Sequence, residues 1–152
     1  MFEPRIAGII AGFNAEHRTM TRMVREADRR LHACEATGWA RPAVDEWAEA
    51  LTTLLQHVEH HFAQEEDGGY MEEALTLVPR FAPQAHRLMT EHAELLTGLV
   101  TLLGKLRRAA YDAAALGDVA VRYRHLRQRL LDHERAENEV LAHAFNFEME
   151  TA

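Results

Sequence analysis

His57-Val58-Glu59-His60-His61-Phe62-Ala63-Gln64-Glu65-Glu66 sets a histidine and a glutamate four positions apart, at His61 and Glu65. Four residues make about one turn of an α-helix, so this imidazole and carboxylate stack on one face. Upstream, Val44, Trp47, Leu51, Leu54 and Val58 recur at steps of three and four, and the next two steps land on His61 and Glu65. A row with that rhythm is the buried face of a bundle helix. The same spacing returns in His133-Glu134-Arg135-Ala136-Glu137. There too the pair continues an apolar row: Val119, Tyr123, Leu126, Leu130, His133, Glu137, Val140, Ala144, Phe147.

Outward from these stretches the chain divides into helices. Pro4 suits a first helical turn and Gly38 a C-terminal stop, which predicts a first helix from about Pro4 to Thr37. Its row is Ile6, Ile10, Phe13, Met20, Val24, Ala27, Leu31, Cys34, and His17 fills the step between Phe13 and Met20. Arg41-Pro42 opens the second helix, which runs to Glu66 before Asp67-Gly68-Gly69 breaks it. A short amphipathic piece, Tyr70 to Val78, leads to Pro79 and Pro83. The third helix starts near Pro83 with the row Ala85, Leu88, His92, Leu95, Leu99, Leu102, Leu106. The chain then turns between Ala110 and Asp118, with Gly117-Asp118 as the clearest signal. His32, His60, His86, His125 and His143 lie off the rows. His57 falls about 40° from the His61 direction and reads as a neighbour of His61 or a surface residue rather than a fifth ligand.

Composition agrees with an all-α protein. Ala, Leu, Glu and Arg dominate, Val and Ile are few, and 152 residues suit one domain spanning 1–152. The ten histidines are dispersed through every segment rather than gathered in a tail. No apolar run approaches the ~20 residues of a membrane span, and the N-terminus lacks the pattern of a signal peptide, so a cytoplasmic location is expected and no membrane partner. A single cysteine, Cys34, excludes an internal disulfide and a thiolate metal cluster. It reads as a core residue. A formal charge of −7 argues against nucleic acid as a partner.

Four histidines and two glutamates therefore sit in otherwise largely apolar rows: His17, His61, Glu65, His92, His133 and Glu137. They are spread over all four helices, and no lysine or arginine shares their rows. A buried unpaired carboxylate costs at least several kcal/mol, so a cation is required. Two metal ions supply it. The levels agree: His17 lies about 20 residues before Thr37 and His61 about 19 after Pro42, which matches their heights in an antiparallel hairpin. Imidazole and carboxylate suit iron, manganese or zinc. Two mid-helix glutamates can bridge two ions, and with two histidines on each ion a position stays open for a small ligand. An oxygen-rich, open pair of that kind is redox-competent, which puts iron first.

The combined pattern of His17, His61-x-x-x-Glu65, His92 within Glu91-His92-Ala93-Glu94-Leu95, and His133-x-x-x-Glu137 resembles the hemerythrin-like (HHE cation-binding) domain family over essentially the whole chain. The resemblance implies an antiparallel up-and-down four-helix bundle with a non-haem di-iron centre, oxo- or hydroxo-bridged. It matches His17, His61, His92 and His133 to terminal ligands and Glu65 and Glu137 to bridging carboxylates. Oxygen-carrying hemerythrins have H-x-x-x-H on the third helix, where this chain has Leu88 four before His92. They also place the fourth-helix acid five residues after its histidine, where the spacing here is four. The four-histidine, two-glutamate set is closer to the branch that includes repair-of-iron-centres proteins, whose N-terminal cysteine-bearing region finds no match in this sequence.

The expected function is binding or sensing of oxygen, nitric oxide or peroxide at a di-iron centre, with the electron-transfer partner open. Leu54, Val58, Phe62, Leu88, Leu95 and Leu130 are expected to wall off water. An enzyme, either a peroxidase or an iron-centre repair factor, is the alternative from another class, and a metal-stabilised structural bundle is a third. No catalytic triad order or phosphate loop stands out. The run holding Arg122, Arg124, Arg127 and Arg129 reads as a solvated face, with an acidic partner as its other reading.

Overall fold

The computed structural model describes the backbone of residues 4–67, 71–72, 76 and 78–151, with side chains in that range except at 4–7, 9–10 and 145–151. Among the described residues the fold is all-α: α1 (Pro4–Ala36), α2 (Arg41–Glu66), α3 (Ala82–Arg108) and α4 (Ala113–Thr151), with a 3-10 turn at Pro79–Phe81. No described helix is long and apolar enough to cross a membrane. Of the expected Tyr70–Val78 piece, Met71 and Glu72 are helical and Met71 is buried; Tyr70 lies outside the described residues, as do Gly68, Gly69 and the side chains of Ile6, Ile10 and Phe147.

Every other residue of the four rows is buried, apart from His17 at the rim. This is the expected consequence of a 3.6-residue period facing a common core. The apolar residues form two clusters. The larger, around Trp47, Leu51, Leu54, Leu99 and Tyr123, fills the end of the bundle near the α1–α2 connection. The smaller, around Phe13, Leu88, Val140 and Ala144, fills the other end. His61, Glu65, His92, His133 and Glu137 lie along the helices between them.

The α1–α2 connection is where glycine was expected. Gly38 has φ +65°, a backbone that costs glycine little. Trp39 shares that left-handed backbone at φ 65°. It is held there by its N–H, which donates to the Cys34 carbonyl at 2.8 Å, and by its ring, 6.3 Å from that of Trp47.

The α3–α4 connection corrects the sequence expectation. The turn is at Ala109–Asp112, and Gly117 lies inside α4. Ala110 and Tyr111 take positive φ, 48° and 62°. Asp112 caps the new helix, its Oδ2 accepting from the Ala115 N–H at 2.9 Å. Leu116 is fully buried, so the apolar row of α4 starts one step before Gly117. Helix propensity penalises one interior glycine by only about 1 kcal/mol, less than burying a leucine contributes. Tyr111 O–H donates to Asp45 at 2.6 Å and the Arg41 guanidinium lies 4.7 Å over its ring, tying this turn to the start of α2.

Candidate metal centre

Seven side chains converge between the two apolar clusters, six from the helix rows and Glu134 from beside the α4 row. α2 presents His61 and Glu65, α3 presents His92, and α4 presents His133, Glu134 and Glu137. All six are buried. α1 contributes His17, whose side chain is 35% exposed, so it forms the rim rather than the floor.

Two groups of three ligand atoms lie close enough together to hold a metal ion: His92, His133 and Glu137, and His61, Glu134 and Glu137. Glu137 is common to both. Its Oε2 is 3.2 Å from His133 Nε2 and 3.7 Å from His92 Nε2, while its Oε1 is 3.5 Å from His61 Nε2. Glu65 divides its oxygens in the same way. Oε1 is 2.5 Å from His61 Nε2 and Oε2 is 3.3 Å from His92 Nε2. Glu134 Oε2 joins the second group, 3.6 Å from His61 Nε2 and 3.5 Å from His17 Nδ1.

The Nε2 atoms of His61, His92 and His133 point inward, and their Nδ1 atoms face carboxylates at the edge. His92 Nδ1–H donates to Glu66 at 3.1 Å. His61 Nδ1 is 3.5 Å from Glu16, and His133 Nδ1 is 3.8 Å from Glu91, long for a hydrogen bond. A carboxylate behind an imidazole selects the tautomer that leaves Nε2 free to ligate. His57 is half-buried, with its ring 6.2 Å from and parallel to that of His61 and its Nε2 3.6 Å from Glu16. It sits beside the site and outside both ligand groups. Phe62 packs against the inner rings, stacked on His92 at 3.8 Å and edge-on to His133 at 5.3 Å. The other five residues expected to exclude water, Leu54, Val58, Leu88, Leu95 and Leu130, are also buried.

The inner atoms do not satisfy one another. Among the described residues, every buried side-chain nitrogen or oxygen without a hydrogen-bond partner belongs to this cluster and its rim, apart from Trp47 Nε1. Buried polar atoms are almost always paired. Atoms that converge without donor–acceptor geometry, in a set of imidazoles and carboxylates, fit a metal ion.

Protonation in the metal-free protein shows the same imbalance. Burial pushes the Glu65 carboxyl up to about 7, against the pull of His61 and His92. Burial acts on Glu137 in the same sense, but His133, His61 and His92 hold it well below the usual carboxylate range. Glu134 is likewise lowered, because His17 and His61 outweigh its burial. Burial would depress His92, yet Glu137 and Glu65 raise it to about 10. His61 is raised still further by Glu134, Glu137 and Glu65 against the same burial, and Glu134 raises His17. Without metal, then, protonated imidazoles carry the compensating charge.

No family model, curated protein or solved structure matches the chain.

The structure brings all six sequence-predicted residues together and adds a seventh, Glu134. A signal for it was present. Glu134 lies two heptads after Ala120 and one before Leu141, and both of those are buried. α4 thus buries a wider arc than one row. The outer carboxylates Glu16, Glu66 and Glu91 were not legible, since their rows are solvent-facing and only the neighbouring helix supplies their histidine.

Proposed function

We propose that this chain is a single hemerythrin-like domain: an antiparallel up-and-down four-helix bundle that holds a carboxylate-bridged pair of iron ions and binds or senses O2, NO or peroxide there, in the cytoplasm. The observation that carries the reading is the division of both Glu65 and Glu137, each with one oxygen toward either ligand group. The antiparallel order is supported by cross-helix pairs. Glu35 meets Arg124 and His17 meets Glu134 between α1 and α4. Asp45 of α2 meets Tyr111, just past the end of α3, and Glu66 of α2 meets His92 of α3. Residue numbers fall on one helix as they rise on the other.

His92, His133, Glu65 and Glu137 would hold one ion, and His61, His17, Glu134, Glu65 and Glu137 the other. Iron would supply reversible electron exchange with a small ligand. The protein's part is to orient the imidazoles through Glu16, Glu66 and Glu91, to keep water out with Phe62 and the surrounding leucines, and to leave an approach at the half-exposed His17.

Metal analysis of protein purified without chelator, with absorption spectra before and after reduction and after addition of O2, NO or hydrogen peroxide, tests this. About two irons per chain and reversible spectral change with a diatomic ligand are expected. Continuous peroxide consumption with a reductant would instead establish the enzyme. A colourless protein loaded only with zinc would leave a structural bundle.

A further inference from the structure

The arginine run of α4 is split by the fold. Arg124 reaches Glu35 at 2.5 Å and Arg127 chelates both oxygens of Asp28 at 2.8 Å, so these two are spent on α1. Arg122, His125 and Arg129 lie on the opposite side of the helix, at i, i+3 and i+7, and line a groove of about 720 Å³ between α4 and α3. Lys105 of α3 lines it too. Arg129 has a partner across the groove, Glu94, at 2.8 Å. Among the described residues, Arg122 and Lys105 have no ion-pair partner. Two uncompensated cations, joined by His125, thus concentrate on one face of a chain with a net charge of −7.

The floor of the groove is apolar. Leu102 and Leu126 line it, and Gly98 gives it depth, since a Cβ there would lie 2.8 Å from Leu126 Cδ1. The α3 wall carries two hydroxyls, Thr97 and Thr101, with no hydrogen-bond partner among the described residues. By contrast Thr19, Thr21, Thr52, Thr53, Thr76 and Thr90 all donate to the carbonyl four residues back. From Ala93 to Lys105 the groove runs about 18 Å at 1.5 Å per residue, the length of about three helical turns. It is open along its length, as a surface cleft rather than an enclosed pocket.

We propose that this groove docks an acidic amphipathic helix of a partner protein. The apolar face of the helix would lie over Ala93, Gly98 and the outer edge of Leu126, and its carboxylates would meet Lys105, Arg122 and His125. The occupant rests on the two helices that carry His92 and His133, with Ala93 next to His92 and Arg129 one turn before His133. The inference does not require the metal reading, because none of its residues belongs to either ligand group.

The test uses the full chain and a fluorescein-labelled peptide of about three helical turns, with leucine on one face and glutamate on the other, followed by fluorescence anisotropy. A matched peptide with lysine in place of every glutamate is the control. The glutamate peptide is expected to bind, more weakly as salt rises, and the lysine peptide not to bind. The double variant Lys105→Glu/Arg122→Glu should weaken binding at least about tenfold. Thr101→Trp, which fills the groove from an exposed position without changing charge, should do the same while circular dichroism shows unchanged helix content. Equal binding of both peptides, no binding, or affinity unmoved by both variants would overturn the proposal. Binding of phosphatidylglycerol vesicles that the double variant abolishes, with no binding of the glutamate peptide, would overturn it in favour of a membrane surface.

Discussion

Glu134 and Glu137 sit one helical turn apart on α4, and the geometry assigns them different consequences. Glu137 belongs to both ligand groups, Glu134 to one. Replacing either with glutamine keeps the shape and removes the charge. The Glu137→Gln variant should therefore hold fewer than one metal ion. Glu134→Gln should retain about one, in the His92–His133–Glu137 group, which does not include Glu134. Stability follows from the same count. An ion present at about 100 times its dissociation constant adds about 2.7 kcal/mol to the native state. For a chain near 150 residues that raises the melting temperature by roughly 5–10 °C per ion. Chelator should then lower the midpoint of the wild type by roughly 10–20 °C, that of Glu134→Gln by about half as much, and that of Glu137→Gln hardly at all. Elemental analysis and thermal melts by circular dichroism, with and without chelator, measure both quantities. If Glu134→Gln loses both ions while Glu137→Gln keeps one, the division of ligands is wrong. If chelator extracts the metal from the wild type and the melt does not move, the bundle is self-sufficient and the stability argument fails.

Loading the metal-free protein at pH 7 should release about two protons or more, because ligands bind deprotonated whereas His61 and His92 are raised above neutrality and Glu65 to about 7. Titration calorimetry in two buffers of different ionisation enthalpy counts them, and the apparent affinity should rise with pH; equal heats in both buffers would refute this. Phe62→Ala removes a fully buried ring stacked on His92 and should cost about 3–5 kcal/mol in urea unfolding, so a loss below about 1 kcal/mol would mean the site collapses around the gap. Alanine at His32, His60, His86, His125 or His143, all exposed, should leave metal content unchanged, and a lost equivalent in any one of them would contradict the placement of that helix face.

Much of this was legible in the sequence because burial in a bundle is a property of helix faces. The rows of Val44 to Glu65 and Val119 to Ala144 repeat every three or four residues, so the sequence period alone directs His61, Glu65, His133 and Glu137 inward. The same period put His92 inside and the five outer histidines outside. The rows also excluded lysine and arginine, which left the carboxylates without a protein counter-charge.

Tertiary structure decided how wide each buried face is and what stands across from it. Glu134 is inside because α1 covers the second side of α4; the heptad spacing from Ala120 to Leu141 marks that side, but only packing brings His17 to it. His17 occupies a core step of its row but meets the rim, because burial at the edge of a layer depends on what the neighbouring helices cover. Gly117 looked like a stop, yet the Asp112 cap and the burial of Leu116 carried the helix through it. Glu16, Glu66 and Glu91 acquire their role only when another helix brings a histidine to them. The arginine run of α4, uniform in sequence, became two pairs with different fates because Asp28 and Glu35 of α1 reach only one side. A helical period specifies an inward direction for each residue, whereas pairing across helices depends on distances between atoms far apart in the chain, and only packing sets those.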